Sequence, residues 1–237
     1  MQTRILLLPV TLALLGACEP TPPQGQATRG NPPAPRVEGP RVAEVSIPKQ
    51  PPFVGEAGVD GFGYPRQRPD QVALLNLLRL RRFDVLDGFV THYQDQFEAD
   101  YHHEYWAEDA FAAFYSADPE VGVLLDEWVA QMPESFAALA ARGNHRYKVG
   151  QHHRGTGVIT GVSPAELQAM DAQLDLAVAD FEAALQRRPK LVALRSSLLH
   201  IANIRGDEKQ ERAHLDAALA ECPLCYVPRK QYLNAIT

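Results

Sequence analysis

Eight histidines and three cysteines are the ligand-forming and nucleophilic residues of this 237-residue chain, and neutral imidazole is the commonest side-chain ligand for zinc and similar ions. The histidines fall partly into two adjacent pairs, His102-His103 and His152-His153. Adjacent residues on a helix point about 100° apart, and neither pair has the four-residue spacing of a helical metal site. His152 and His153 stay as the metal candidates, with solvated loop or groove histidines as the favoured reading. Cys222-Pro223-Leu224-Cys225 has the spacing of a redox motif or half a zinc site. No second cysteine pair completes a tetrahedral site and no βαβ pattern surrounds it. A local disulfide and two free thiols are both open. Glu108 and Asp109 are the nearest approach to paired carboxylates, yet as neighbours on one helix they diverge and have no flanking base, so a solvated acidic face is the plainer account. Nucleophile, phosphate-loop, dinucleotide and zincin motifs are all missing from the sequence. The sequence gives no reason to expect a catalytic residue or a cofactor.

These side chains must be positioned by helices. Asp70 after Pro69 predicts an N-cap, with Val72, Leu74, Leu75 and Leu78 as the first apolar stripe. Phe83 to Phe97, Glu104 to Ser116 and Pro119 to Met132 follow, and Ser135 caps a fifth helix in which Gly143 would allow close helix approach. The run from Gly150 to Val162 is too glycine-rich to continue it. Ser163-Pro164-Ala165-Glu166 is a capping box that restarts the chain as a helix. Leu191 to Arg205, Asp207 to Glu221 and Val227 to Ile236 complete nine. Ala177, Phe181, Ala184 and Pro189 are echoed by Leu215, Ala218 and Pro223, with 34 residues between the two prolines. That period and spacing resemble a tetratricopeptide array. The resemblance implies an all-α solenoid of helical hairpins, with about 22 residues inserted between one pair near 150–162. In such arrays the first helices line a concave groove, which here assigns Asn144, Tyr147, Lys148, His200 and Asn203 to it. His103 and Trp106 join more loosely from the preceding first helix. Aromatic surface with hydrogen-bonding groups suits an extended peptide; the alternative for Trp106 and Tyr147 is packing between repeats.

The chain before the helices has a different composition. Arg4 and the apolar run Ile5 to Leu15 form a segment shorter than the ~20 residues of a membrane span, as an export signal does. Leu15-Gly16-Ala17-Cys18 resembles the lipobox of bacterial lipoproteins, which implies a lipid on Cys18; the alternative is an ordinary export signal that contains Cys18. Glu19 in place of Asp implies the outer membrane. Residues 19–69 hold 12 of the 19 prolines and little that could be buried, so a disordered tether is expected. Phe53, Phe62 and Tyr64 either dock on the first helix or, as the favoured reading, end the flexible arm. The helical domain is placed at 70–237.

Residues 73–236 also resemble a family of uncharacterised bacterial proteins with a domain of unknown function on tetratricopeptide-like helices. The shared features are Trp128 to Pro133, Ala140-Ala141-Arg142-Gly143, Arg154-Gly155 and Tyr232-Leu233. That family usually continues into a Pro-Arg-Trp-Gly-Gly run, missing after Thr237, so the chain is expected to be truncated or divergent there. Residues 70–237 carry 16 Lys and Arg against 24 Asp and Glu, which argues against nucleic acid as a partner. The expected function is a lipid-anchored, periplasm-facing adaptor that binds a protein or peptide. The rival is a metal-binding protein or hydrolase that uses the His-rich insertion.

Overall fold

The structure is a computed structural model and describes residues 47–154 and 162–236; all belong to one unit, spanning Ser46–Thr237. The proposed lipidation site Cys18, the export signal and the tether up to residue 46 lie outside the described residues. Among the described residues the fold is all-α: α1 (Gln71–Arg79), α2 (Phe83–Ala99), α3 (Glu104–Ala112), α4 (Pro119–Gln131), α5 (Phe136–Arg154), α6 (Pro164–Arg187), α7 (Val192–Ile204), α8 (Glu208–Glu221) and α9 (Val227–Ile236). A 3-10 turn, Tyr101–His103, leads into α3. None of these helices is long and apolar enough to cross a membrane.

The ends of the helices follow from local side-chain chemistry. Free amides of a first turn need acceptors, and Asp70 accepts from the Ala73 amide at 3.0 Å, Asp118 from Glu120 at 3.0 Å and Asp207 from Gln210 at 3.0 Å. Ser135 accepts from Ala138 at 2.9 Å. At α6 the capping box is complete: the Ser163 hydroxyl accepts from the Glu166 amide and the Glu166 carboxylate accepts from the Ser163 amide. Each such cap contributes about 1 kcal/mol.

The most extensive helix pairing in the core is that of α5 against α6. Ala137, Ala138, Ala140 and Ala141 present a small-residue face to Leu174, Ala177, Phe181 and Ala184, and all eight side chains are fully buried. Gly143 is required by this closeness, since a β-carbon there would stand 2.5 Å from the Phe181 ring. Gly150 serves the same contact: a β-carbon would meet Leu174 at 3.1 Å and the Met170 carbonyl at 3.3 Å. The expected break at Gly150 is therefore corrected. The glycine is a packing point within α5, and the helix runs on to Arg154.

The expected extent of the tether is corrected as well. Before Asp70 the chain forms a two-stranded antiparallel ribbon, β1 (Phe53–Val54) with β2 (Arg68–Pro69), in which Phe53 faces Pro69 and Val54 faces Arg68. The ribbon covers α2 and α3: the Phe53 ring lies 5.3 Å from Tyr93 and 4.5 Å from Trp106, and the Tyr93 hydroxyl donates to the Pro52 carbonyl at 2.5 Å. Three aromatic rings and a set of paired polar groups offset the ordering entropy of a Pro- and Gly-rich segment whose average composition reads as unfolded.

Helix neighbours in sequence pack on one another along much of the chain, including α1 on α2, α5 on α6 and α7 on α8. Other contacts reach further, among them α2 with α5 and the Arg188 guanidinium with Glu98 on α2 at 2.5 Å. Helix α3 touches α7, and Glu104 at the start of α3 accepts from the amides of Tyr226 and Val227 at the start of α9, at 2.9 Å each. A linear stack in which each repeat meets only its neighbours would not make them.

Candidate functional site

The contacts of α3 with α7 and α9 draw α3, α5, α7 and α9 around a cavity of about 190 Å³. Its wall comes from Glu108, Phe111, Ala112 and Tyr115 in and after α3, Asn144 and Tyr147 on α5, Ala193 to His200 on α7, and Val227, Lys230 and Gln231 on α9. The cavity is smaller than the ~300–1,000 Å³ that holds a drug-sized ligand. It matches a small polar group or a single residue.

One side of the wall is a hydrogen-bonded relay. The Tyr115 hydroxyl donates to the Gln151 side-chain carbonyl, Gln151 also reaches the Tyr147 side chain, and the Tyr147 hydroxyl is hydrogen-bonded to His200 Nδ1. Burial pushes the Tyr147 hydroxyl far above its ordinary value, with the Tyr115 hydroxyl beside it adding to the effect, so the group stays protonated. Burial also holds His200 below 6.5, helped by the positive charge of Arg154. A neutral ring that accepts at Nδ1 carries its proton on Nε2. Asn144 spends one amide proton on the Ala140 carbonyl at 3.1 Å and keeps its side-chain oxygen. The hydroxyls of Ser196 and Ser197 donate to Val192 and Ala193 carbonyls one turn back. They are turned to their own helix rather than to a base, so neither is an activated nucleophile.

Glu108 also lines the cavity, half-buried and without a hydrogen bond or ion pair among the described residues. Burial, and then the charge of Asp109, push its carboxyl above the usual range, and Lys230 and Arg68 oppose them. The neighbouring acids are already engaged. Asp109 pairs with Arg68 at 2.5 Å, and Glu104 takes the Tyr64 hydroxyl at 3.0 Å besides the two α9 amides.

Of the groove residues expected from sequence, Asn144, Tyr147 and His200 meet at this wall. Tyr147 partners His200 rather than its repeat-equivalent Asn203, which sits about one turn further along α7. Lys148 stands with its ammonium 4.6 Å from the Tyr115 ring centre, outside the cavity lining. His103 and Trp106 are corrected: they lie under the N-terminal ribbon. The Trp106 indole donates to the Gln67 carbonyl at 2.7 Å, with the His103 ring tilted against it, centroids 4.3 Å apart. The ribbon supplies the apolar and carbonyl partners that a groove-facing indole would have offered to a ligand.

Cys222 and Cys225 form a disulfide in the turn between α8 and α9, which resolves the choice left open by their spacing. His152 and His153 are exposed on the last turn of α5, and the insertion residues 155–161 lie outside the described residues. Among the described residues no three His, Cys, Asp or Glu side chains are grouped as metal ligands would be. Sequence reasoning passed over Tyr115, Ser196, Lys230 and Gln231. Ser196 and His200, four apart on α7, were the available signal. No family model, curated protein or solved structure matches this chain.

Proposed function

We propose that the protein is a lipid-anchored, periplasm-facing adaptor that captures a protein or peptide partner at the cavity between α3, α5, α7 and α9. The helical pairs are tetratricopeptide-like, and their superhelix closes until the concave groove is reduced to that cavity. The observation that carries this is the cavity wall itself: aromatic rings, an open carboxylate, an amide and an imidazole converge on it, while its serine hydroxyls are committed to helix carbonyls. Such a wall is equipped to recognise rather than to cleave.

Crosslinked co-purification of the lipidated protein from its own cell envelope tests the capture. Ala193→Phe, which fills the cavity from its wall, is expected to lose the crosslinked partner while the helical circular dichroism is kept; undiminished recovery would place the partner elsewhere. The anchor rests on the lipobox-like run ending at Cys18. Several acyl chains hold a protein stably where one holds it marginally, each buried CH₂ contributing about 0.8 kcal/mol. Cys18→Ser is expected to move the protein from the outer-membrane fraction to the soluble periplasm with its fold intact, and persistence on membranes after a salt wash would sink the assignment. The rival metal-dependent reading is carried by His152 and His153 alone. Stoichiometric zinc in the purified protein, lost on changing both, would favour it.

A further inference from the structure

The cavity wall carries complementary groups whose hydrogen-bonding capacity is left over after the fold is satisfied. Around α3, Glu104 is used by three donors and Asp109 by Arg68. Glu108 is the acid between them that faces the cavity with none. A half-buried carboxylate with open acceptor positions favours a ligand that brings a positive charge with several N–H donors. The relay through Tyr115, Gln151 and Tyr147 ends on His200 Nδ1, and a Tyr147 hydroxyl that donates to the neutral ring leaves the ring proton on Nε2. Lys230 on α9 adds an ammonium at the exposed rim. Both are donors, and they suit an oxygen acceptor.

Resting on the adaptor reading, we propose that the cavity recognises a primary ammonium adjoining a carbonyl or carboxylate oxygen, as at the free amino end of a peptide chain or in a free amino acid. Glu108 receives the ammonium, and His200 and Lys230 receive the oxygen. A volume of about 190 Å³ limits the enclosed portion to a small group. The rest of a peptide leaves past Lys230 and Gln231, and its side chains contribute little to selection inside the cavity.

The test uses the full chain and three probes: an equimolar mixture of tripeptides X-Ala-Ala with X varied over all residues, the same mixture N-acetylated, and free alanine. Binding is read by saturation-transfer NMR and calorimetry. A charge-assisted contact at the ammonium predicts that acetylation weakens binding by about tenfold or more. Glu108→Gln is expected to remove that discrimination, and Lys230→Gln, at the exposed rim where folding is not at risk, to weaken binding severalfold. Tripeptides that bind more tightly than alanine assign the site to a peptide end; alanine binding as tightly assigns it to a free amino acid. Equal binding of the acetylated mixture, or no binding by any probe, overturns the inference. Unchanged preference in both variants overturns it too. In each case the adaptor reading stands or falls separately, on whether Ala193→Phe loses its crosslinked partner.

Discussion

Asp180 on α6 is the buried one of two acids that Arg142 and Arg146 of α5 share, the other being the exposed Asp126. Asp180 accepts from Arg142 at 2.7 and 2.9 Å and from Arg146 at 2.8 Å, with its own side chain 5% exposed. Removing one partner of a buried charge group strands the others. Asp180→Asn is therefore expected to lower unfolding free energy in urea by about 3 kcal/mol; a loss below about 1 kcal/mol would mean that the guanidinium groups find water. A second prediction concerns protons. His145, His200 and His214 are all held below 6.5, chiefly by burial. Folding then releases protons, so the stability from the neutral rings is complete above their ordinary value and is lost as pH falls through it toward the folded values. The melting temperature should drop between pH 7.5 and 5.5, and His200→Gln should flatten part of that slope. Asp87 and Glu108, whose carboxyls are raised chiefly by burial, act in the opposite sense, adding stability as pH falls through their raised folded values. At this scale the sequence was partly legible. Asn144, Tyr147 and His200 were found through the repeat period, because register puts them on inward faces. Lys230 was not, because nothing in its own helix shows that Glu104 would draw that helix across the cavity.

Helices were the more legible level. Caps at Asp70, Asp118, Ser135, Ser163 and Asp207, with Pro133, Pro189 and Pro223 just past helix ends, act within one turn, so the helices among the described residues could be read from neighbours in sequence alone. Gly150 misled because a glycine is ambiguous until its neighbours are known: the same residue breaks an exposed helix and permits contact in a packed one. Gly143 gives the cleaner test of that contact. Gly143→Ala drives a methyl group into the Phe181 ring at 2.5 Å. A loss of about 1–3 kcal/mol is expected, despite the better helix propensity of alanine. A neutral or stabilising result would show that α5 and α6 can part without penalty. The ribbon before α1 escaped sequence reading for a related reason: its partners, Tyr93, Trp106 and Asp109, come from two later helices, and local composition holds no trace of them.

For the whole molecule, the ribbon belongs to the same unit as the helices. Limited proteolysis is expected to stop near residue 50, with Phe53 and Trp106 retained in the resistant fragment; a stable fragment starting near residue 70 would show that the ribbon is not held. The all-α class was readable from periodicity, whereas the closure of the helices around the cavity depends on pairs far apart in the chain. Glu104 makes that distance concrete, since it joins Tyr64, 40 residues earlier, to the Val227 amide, 123 residues later. At about 5–20 residues per second of synthesis, those later donors emerge roughly 6–25 seconds after the acid does. Through that interval the foot of α3 has a carboxylate without its main partners, and the cavity has no α9 wall. The arrival of α9 is thus the closing step for the cavity, and a nascent chain has no finished ligand site before it.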